Sequence, residues 1–120
     1  MEEYYKMLEI AKNSLKKVNI QTYTQCIVVL TDKQKIYHKI IANALSEENT
    51  AESSFLNELK ANHDTKIKKI VCMWGCGDID LPSWKLRKML CEVNLENQNA
   101  QMLLLGKPSY IVKNILQTLK

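Results

Sequence analysis

The stretch that decides the fold is IVCMWGCGDIDLPSWKLRKMLCEVN, residues 70–94. It begins with five apolar residues, turns at residues 75–78, and ends in a segment with apolar residues at helical spacing. An uninterrupted apolar run is typical of a central strand that is covered on both faces. Pro82 and Ser83 predict a helix start, because proline lacks the amide that a first turn leaves unused and serine caps well. The stretch therefore predicts strand, turn and helix in that order.

The chain before this stretch predicts two helices and a hairpin. Residues 4–18 form one apolar stripe of a core-facing helix. The stripe consists of Tyr4, Leu8, Ala11, Leu15 and Val18. The apolar run 23–30, a polar turn at 31–34 and the segment 35–42 predict a β-hairpin. A second helix is expected from about Asn49, with Phe55, Leu56 and Leu59 as its buried face.

The chain after this stretch predicts a strand at 100–105, a short strand at 110–112 and a final amphipathic helix at 114–120. The element order is α-β-β-α-β-α-β-β-α. A hairpin followed by β-α-β crossovers implies an α/β fold with a mixed sheet of four to five strands. We expect three layers, α-β-α, with helices on both faces of the sheet. Residues 1–120 are expected to form a single domain.

The charge pattern argues against nucleic acid as a partner. The chain has 17 basic and 13 acidic residues, a net charge of +4, and every basic residue except Arg87 is a lysine. Nucleic-acid surfaces usually concentrate Arg and Lys on one face, whereas these lysines are scattered along the chain. A solvated lysine surface is the prediction.

The four cysteines predict reduced thiols rather than disulfides. Cys26 and Cys72 lie in apolar runs and Cys91 lies in a predicted helix, which are common places for buried free thiols. The N-terminal residues have no basic region followed by an apolar core, and no segment reaches the ~18 apolar residues of a membrane span. We expect a cytoplasmic protein without a membrane partner.

Two local patterns resemble the zinc motifs of the cytidine and blasticidin deaminases. Residues 49–52, Asn-Thr-Ala-Glu, resemble the Cys-Ala-Glu or His-Ala-Glu motif that opens the second helix of that family. Residues 82–87, Pro-Ser-Trp-Lys-Leu-Arg, resemble its Pro-Cys-x-x-Cys-Arg motif. The predicted element order is also the family's, so the resemblance spans nearly the whole chain and implies the cytidine deaminase-like fold.

The resemblance also implies a site from which the metal ligands are missing. In the family, three ligands hold a zinc ion that activates water, and a glutamate shuttles protons. The ligand positions correspond here to Thr50, Ser83 and Leu86, and the proton shuttle to Glu52. Leucine has no donor atom and neutral hydroxyls are poor zinc ligands. We therefore predict no metal, no cofactor and no catalytic residue, and a pseudoenzyme that serves as a ligand-binding or protein-interaction module.

Other functions stay open at this point. A metal-independent binder of a nucleoside, nucleotide or related heterocycle would use a pocket lined by Thr50, Glu52, Ser83, Trp84 and Arg87. A residual cytidine deaminase-type hydrolase would use Glu52 as an acid and base. A gapless alignment places Lys39 and Ile41 where nucleoside-binding relatives carry their sugar contacts, so those contacts are absent. The resemblance further implies a homo-oligomer.

Several of these residues also have ordinary structural explanations. Asn49 and Glu52 have the spacing of a capping box, in which the glutamate reaches back to the helix start. Arg87 would pair with a surface carboxylate, and Trp74 and Trp84 would belong to the core and its rim. Cys72 and Cys76 have weak metal-pair spacing, but His63 lies at the far end of the second helix and should not converge with them.

Overall fold

The computed structural model describes residues 1–19, 23–45, 50–106 and 109–119. Its helices are α1 (Glu2–Lys16), α2 (Ala51–Ala61), α3 (Trp84–Val93) and α4 (Ile115–Thr118). Its strands are β1 (Gln25–Thr31), β2 (Ile36–Ile41), β3 (Ile67–Trp74), β4 (Gln101–Leu105) and β5 (Tyr110–Asn114). A 3₁₀ helix, Leu95–Asn99, precedes β4. The predicted order of elements is confirmed.

The five strands form one mixed sheet in the order β2-β1-β3-β4-β5. β1 pairs antiparallel with β2 and with β3, β3 pairs parallel with β4 across α3, and β4 pairs antiparallel with β5. The stretch at residues 70–74 therefore lies in the middle strand, as its continuous apolar run predicts. All seven residues of β1 are buried as well.

One face of the sheet is covered by α1. Its buried residues pack on Cys26, Val28 and Leu30 of β1 and on Val71 and Met73 of β3. These α1 residues are Tyr4, Met7, Leu8, Ala11 and Leu15. The helix ends two residues earlier than predicted, and Val18 lies outside it, 37% exposed. The predicted stripe is thus correct except for Val18, and it lacked Met7, which is fully buried.

The other face is covered by α2, α3 and α4. The strand residues that alternate with those facing α1, including Ile27 of β1 and Cys72 of β3, belong to the core on this side. They share it with residues of α2 and α3, among them Phe55, Leu59 and Leu86. Because successive side chains of a strand point to opposite faces, one run of apolar residues serves both layers. This arrangement confirms the predicted α/β fold with helices on both faces.

Both α2 and α3 begin at the same end of the sheet. β2 ends at Ile41 before α2, and β3 ends at Trp74 before α3. Between β3 and α3, the amide of Trp74 donates to the carbonyl of Asp78 and the amide of Asp80 donates to that of Cys72. Gly77 has φ +97°, a conformation that favours glycine, so the predicted turn at residues 75–78 depends on it. The turn brings the two helix N-termini together.

Several boundaries differ from the sequence predictions by one or two residues. Helix α2 begins at Ala51 with Thr50 at its N-cap, two residues later than expected. The connection between α3 and β4 contains the 3₁₀ helix, because the Asn94 side chain accepts from the amide of Glu96 and caps it. Strand β5 extends to Asn114, two residues further than predicted. Within the described ranges, no helix is both long and apolar enough to cross a membrane.

Candidate functional site

Ser83 caps helix α3 as its sequence position predicts. Its hydroxyl oxygen accepts a hydrogen bond from the Leu86 amide at 3.0 Å. This satisfies one of the amide donors that the first turn of a helix leaves without an intrahelical partner. The same hydroxyl can also donate one hydrogen bond, and the acceptor of that bond identifies the second residue of the site.

The Ser83 hydroxyl donates to Oε2 of Glu52 at 2.6 Å, which joins the first turn of α2 to the N-cap of α3. The Glu52 side chain is 3% exposed. A short hydrogen bond from a hydroxyl to a carboxylate is among the strong ones, and a negative charge is favoured near a helix N-terminus. Two of the five residues predicted for the site are therefore in direct contact.

Leu86 is fully buried in the core on the α2 and α3 side of the sheet. The cluster also contains Phe55, Leu90 and Cys72. Leu86 stands at the third ligand position of the resemblance. Its apolar side chain contributes to packing there and offers no donor atom to a metal or a polar ligand.

Arg87 lies in the first turn of α3 and is 8% exposed. Its Nε–H donates to the Pro82 carbonyl at 3.0 Å and its Nη1 donates to the Thr118 carbonyl at 2.9 Å. The prediction that Arg87 pairs with a surface carboxylate is wrong, since these hydrogen bonds go to backbone carbonyl oxygens. Burial lowers the pKa of the guanidinium below its usual value. Arg87 fastens α4 to the start of α3.

Thr50 and Trp84 lie near the contact but are exposed. Thr50 occupies the N-cap position of α2 without a side-chain capping bond. Trp84 is 55% exposed, and the Lys88 ammonium lies 5.0 Å from its ring centroid. This lysine contact is a cation–π interaction on the surface of α3. The other tryptophan, Trp74, donates its indole Nε1–H to Oδ2 of Asp80 at 2.9 Å.

The capping-box prediction involves Asn49, which lies outside the described residues. With Thr50 at the N-cap, Glu52 is the second residue of the helix, one position earlier than a capping box requires. Its described hydrogen bond goes instead to Ser83, across to another helix. Sequence spacing could not indicate this bond, because the two residues are 31 positions apart.

The residues at this site do not fit the zinc ion that the resemblance implies. Zinc sites of this kind need three thiolate or imidazole ligands, whereas Leu86 has none and the Ser83 proton is held by Glu52. In the part of the chain that the structure describes, no three His, Cys, Asp or Glu residues come together as a metal site. The residues instead make a buried polar contact over an apolar core.

The cysteines, all within the described residues, are free thiols. Burial raises the pKa of Cys72 well above its usual value, with smaller contributions from Asp80, Cys26 and Glu52. Burial also raises the pKa of Cys26 to about 11. A thiol with a raised pKa stays protonated and is a poor nucleophile or ligand. Cys76 is exposed in the turn before α3.

Sequence reasoning missed one residue at this end of the sheet. Gln25, the first residue of β1, is 2% exposed, and its Oε1 has no hydrogen-bond partner in the described structure. A glutamine opening an apolar strand has no motif attached to it. The only available signal was its place directly before Cys26 and the apolar run, which does not reveal that it would be buried.

The chain is similar in structure to several cytidine deaminases. Cytidine deaminase from Mycobacterium leprae superposes with a TM-score of 0.72 at 14% identity, covering 97% of this chain and 96% of that one. The enzyme from Burkholderia pseudomallei gives 0.67 at 16% identity over 94% and 93%, and that from Bacillus anthracis 0.70 at 10% over 95% and 84%. No protein-family model and no curated protein sequence matches the chain. At such low identity the likeness establishes the architecture alone: this chain has the cytidine deaminase-like fold.

Proposed function

We propose that this protein is a non-catalytic protein with the cytidine deaminase-like fold, a pseudoenzyme that acts as a ligand-binding or protein-interaction module without zinc. The observation that carries the proposal is Leu86, which stands at a metal-ligand position and is fully buried in the apolar core. A core leucine is neither a ligand nor a surface that a metal can reach. The proposal concerns the chemistry of the site, since the fold itself is shared with active enzymes.

The Glu52–Ser83 contact supports the same proposal. In the family mechanism, the glutamate at this position moves protons to and from a metal-activated water and the substrate. Here its carboxylate is buried and accepts a hydrogen bond from the Ser83 hydroxyl at 2.6 Å. A carboxylate held in this way has a structural role, because the bond ties the N-termini of α2 and α3 together.

Zinc content and ammonia release test this proposal. We expect the purified protein to contain no stoichiometric zinc and to release no ammonia from cytidine or deoxycytidine above background. A variant with Thr50→Cys, Ser83→Cys and Leu86→Cys serves as the positive control, since three thiolates at these positions should take up the metal. About one zinc per chain in the wild type, lost in Ser83→Ala, would overturn the proposal. Ammonia release that disappears in Glu52→Ala would do so as well.

A second candidate function is favoured by the polar groups that remain. A metal-independent binder of a nucleoside, nucleotide or related heterocycle would use Thr50, Glu52, Ser83, Trp84 and Arg87. Glu52 and Ser83 form a hydrogen-bonding pair, and Thr50 lies at the start of the same helix. Arg87 would act indirectly, because its guanidinium holds the Pro82 and Thr118 carbonyls. A thermal-shift panel of nucleosides and nucleotides tests this function, with Glu52→Ala as the variant that should lose the response.

For the interaction role we propose that the partner is a second copy of the chain. We also propose that the protein acts in the cytoplasm. Strand β5 lies at one edge of the sheet and exposes Tyr110, Ile111 and Val112 by 38%, 40% and 42%. Open strand edges with apolar side chains favour pairing with another chain. The mass in solution tests this proposal. A monomer at all concentrations, or an oligomer that is unaffected by Val112→Lys, would rule out pairing through β5.

A further inference from the structure

A cavity lies on the α1 face of the sheet, opposite the face that carries the Glu52–Ser83 contact. It has a volume of about 180 Å³ and lies between the last two turns of α1 and the turn at residues 75–77. Its lining includes Leu15 and Met73, which belong to the core beneath α1. The volume corresponds to that of about six water molecules in the liquid. The cavity therefore fits the apolar body of a small molecule.

Two lysines of α1 also line this cavity. Lys12 and Lys16 are exposed and lie one helical turn apart, on the side of α1 that carries Leu15. Lysine side chains bury their methylene groups on apolar surface and keep the ammonium in water. In the part of the chain that the structure describes, neither ammonium forms an ion pair. The cavity thus combines an apolar floor with two unpaired positive charges at its mouth.

The negative charge near the cavity is weaker than this positive charge. The carbonyl end of α1 amounts to about half of an elementary charge, whereas each of the two ammonium groups carries a full one. Glu9 and Asp78 are the carboxylates closest along the chain, and neither is among the described residues that line the cavity. The occupant that matches both the floor and the mouth is an anion with a short apolar tail.

We propose that this cavity is a binding site for a small aliphatic carboxylate, whose hydrocarbon tail lies on Leu15 and Met73 and whose carboxylate lies between Lys12 and Lys16. Burial of the tail supplies most of the affinity, because exposed ion pairs are weak. The two lysines select an anion over neutral or cationic molecules of the same shape. The site goes beyond the function proposed above, since it lies in the other layer and uses none of the residues named there.

Cys76 makes the occupancy of this site measurable, because it is exposed and lines the cavity. A bound carboxylate should shield its thiol from a neutral alkylating reagent such as iodoacetamide. Hexanoate at about ten times its Kd should slow the alkylation of Cys76 about tenfold, since only about one chain in eleven then has an empty site. Peptide mass spectrometry follows each cysteine separately. Cys91, half-buried in α3 on the other face, is the internal control, and its rate should not change.

Matched ligands separate the contribution of the tail from that of the charge. Hexanamide has the same tail without the charge, and hexylammonium has the opposite charge. Acetate, at equal ionic strength, has the charge without the tail. Hexanamide should protect Cys76 with a Kd about fivefold higher than that of hexanoate, as two exposed ion pairs predict. Hexylammonium and acetate should give no protection at the same concentration.

Two double variants test the role of the lysines. Lys12→Gln combined with Lys16→Gln should remove the preference for hexanoate over hexanamide. Lys6→Gln combined with Lys35→Gln is the matched control, because it removes the same charge at exposed lysines that do not line the cavity. This control should keep the preference. All four substitutions are at exposed positions, so both double variants should fold.

Several results would overturn the proposal. Hexanoate could leave the alkylation rate of Cys76 unchanged, or it could slow Cys91 equally. Hexanamide or hexylammonium could protect Cys76 as well as hexanoate does, or the preference for hexanoate could survive in the Lys12 and Lys16 double variant. None of these results bears on the zinc-free, non-catalytic proposal, which is tested separately by metal content and ammonia release.

Discussion

A buried carboxylate lies near each end of helix α2 and accepts a hydrogen bond from a hydroxyl, but the two carboxylates differ in how many donors they have and in which elements they connect. At the N-terminal end, Glu52 accepts from Ser83 at 2.6 Å. Beyond the C-terminal end, Oδ2 of Asp64 accepts from Thr31 at 2.9 Å and from Tyr37 at 3.0 Å. Both side chains are at most 3% exposed.

The helix itself explains part of the difference. A carboxylate is favoured at a helix N-terminus and disfavoured near a C-terminus, where the carbonyl ends are negative. Asp64 therefore needs donors from the β1–β2 hairpin, and in return it fastens that hairpin to the connection between α2 and β3. Glu52 is favoured by its own helix and receives one described hydrogen bond. A buried hydroxyl–carboxylate contact is thus not in itself a sign of function; the Glu52 end is the candidate site because the N-termini of α2 and α3 meet there.

The largest expected effect is at the Glu52 end, where Leu86 supports the contact from below. Leu86→Ala should lower the free energy of unfolding by about 2 to 4 kcal/mol, because it leaves a cavity in the core. Denaturant unfolding measures this, with Leu95→Ala as control, since Leu95 is 70% exposed. A loss below about 0.5 kcal/mol at Leu86 would place this side chain outside the core. The Glu52 end would then be an open pocket.

The Asp64 end should behave as a purely structural network. Asp64→Ala should cost about 1.5 to 3 kcal/mol, because Thr31 and Tyr37 lose their shared acceptor. Asp64→Asn should cost less, since its amide oxygen can still accept both bonds. Chemical denaturation of both variants, with the exposed turn variant Asp78→Ala as control, measures the difference. A neutral Asp64→Ala would mean that the hairpin does not depend on this network.

The Glu52–Ser83 bond should contribute less, about 0.5 to 2 kcal/mol. Glu52→Ala should lower stability within this range, whereas Glu52→Gln should remain near wild type because its amide oxygen can accept from Ser83. A double-mutant cycle with Ser83→Ala isolates the coupling between the two side chains. If Glu52→Ala is neutral or stabilising and also abolishes a ligand-induced shift, the carboxylate is kept for binding, and its structural role is excluded.

The smallest expected effect is a pH dependence at the Asp64 end. Burial, followed by the hydrogen bond to Asp64, raises the pKa of Tyr37 above its usual value. A raised pKa in the folded state means that the folded protein holds this proton more tightly than the unfolded chain does. The contribution to stability is therefore complete below about pH 10 and is lost as the pH rises through the folded pKa. Tyr37→Phe should show a shallower fall of Tm between about pH 9 and pH 11 than the wild type, and an identical slope would refute the assignment.

Much of the fold could be predicted from the sequence because periodicity reports burial directly. The apolar run at 70–74 predicted an inner strand, the run at 23–30 predicted the first strand of a hairpin, and the stripe beginning at Tyr4 predicted α1. Pro82 and Ser83 predicted the start of α3 to within about one residue, since capping depends on local chemistry. The α2 boundary was less accurate, because two polar residues, Asn49 and Thr50, could each serve as N-cap.

The two helix starts at the candidate site were predicted from the sequence, but the contact between them was not. Residues 49–52 and 82–87 identified the two helix starts, and the resemblance placed Leu86, Thr50 and Ser83 at the ligand positions. The sequence alone determined that Leu86 carries no donor atom and that Thr50 and Ser83 carry only neutral hydroxyls, because that depends only on which residues stand there. It also determined the alternation of strands and helices, because that follows from spacing along the chain.

Only the tertiary structure decided which polar groups meet. The Ser83–Glu52 bond joins residues 31 positions apart, and the bonds of Arg87 to Thr118 and of Thr31 to Asp64 span 31 and 33 positions. The burial of Gln25 follows from its neighbours on β2 and β3, which the chain reaches only after folding. Local patterns fix the conformation of a segment, because the relevant forces act within a few residues. Pairing of side chains across elements depends on how whole helices and strands pack, and that information is spread over the entire chain.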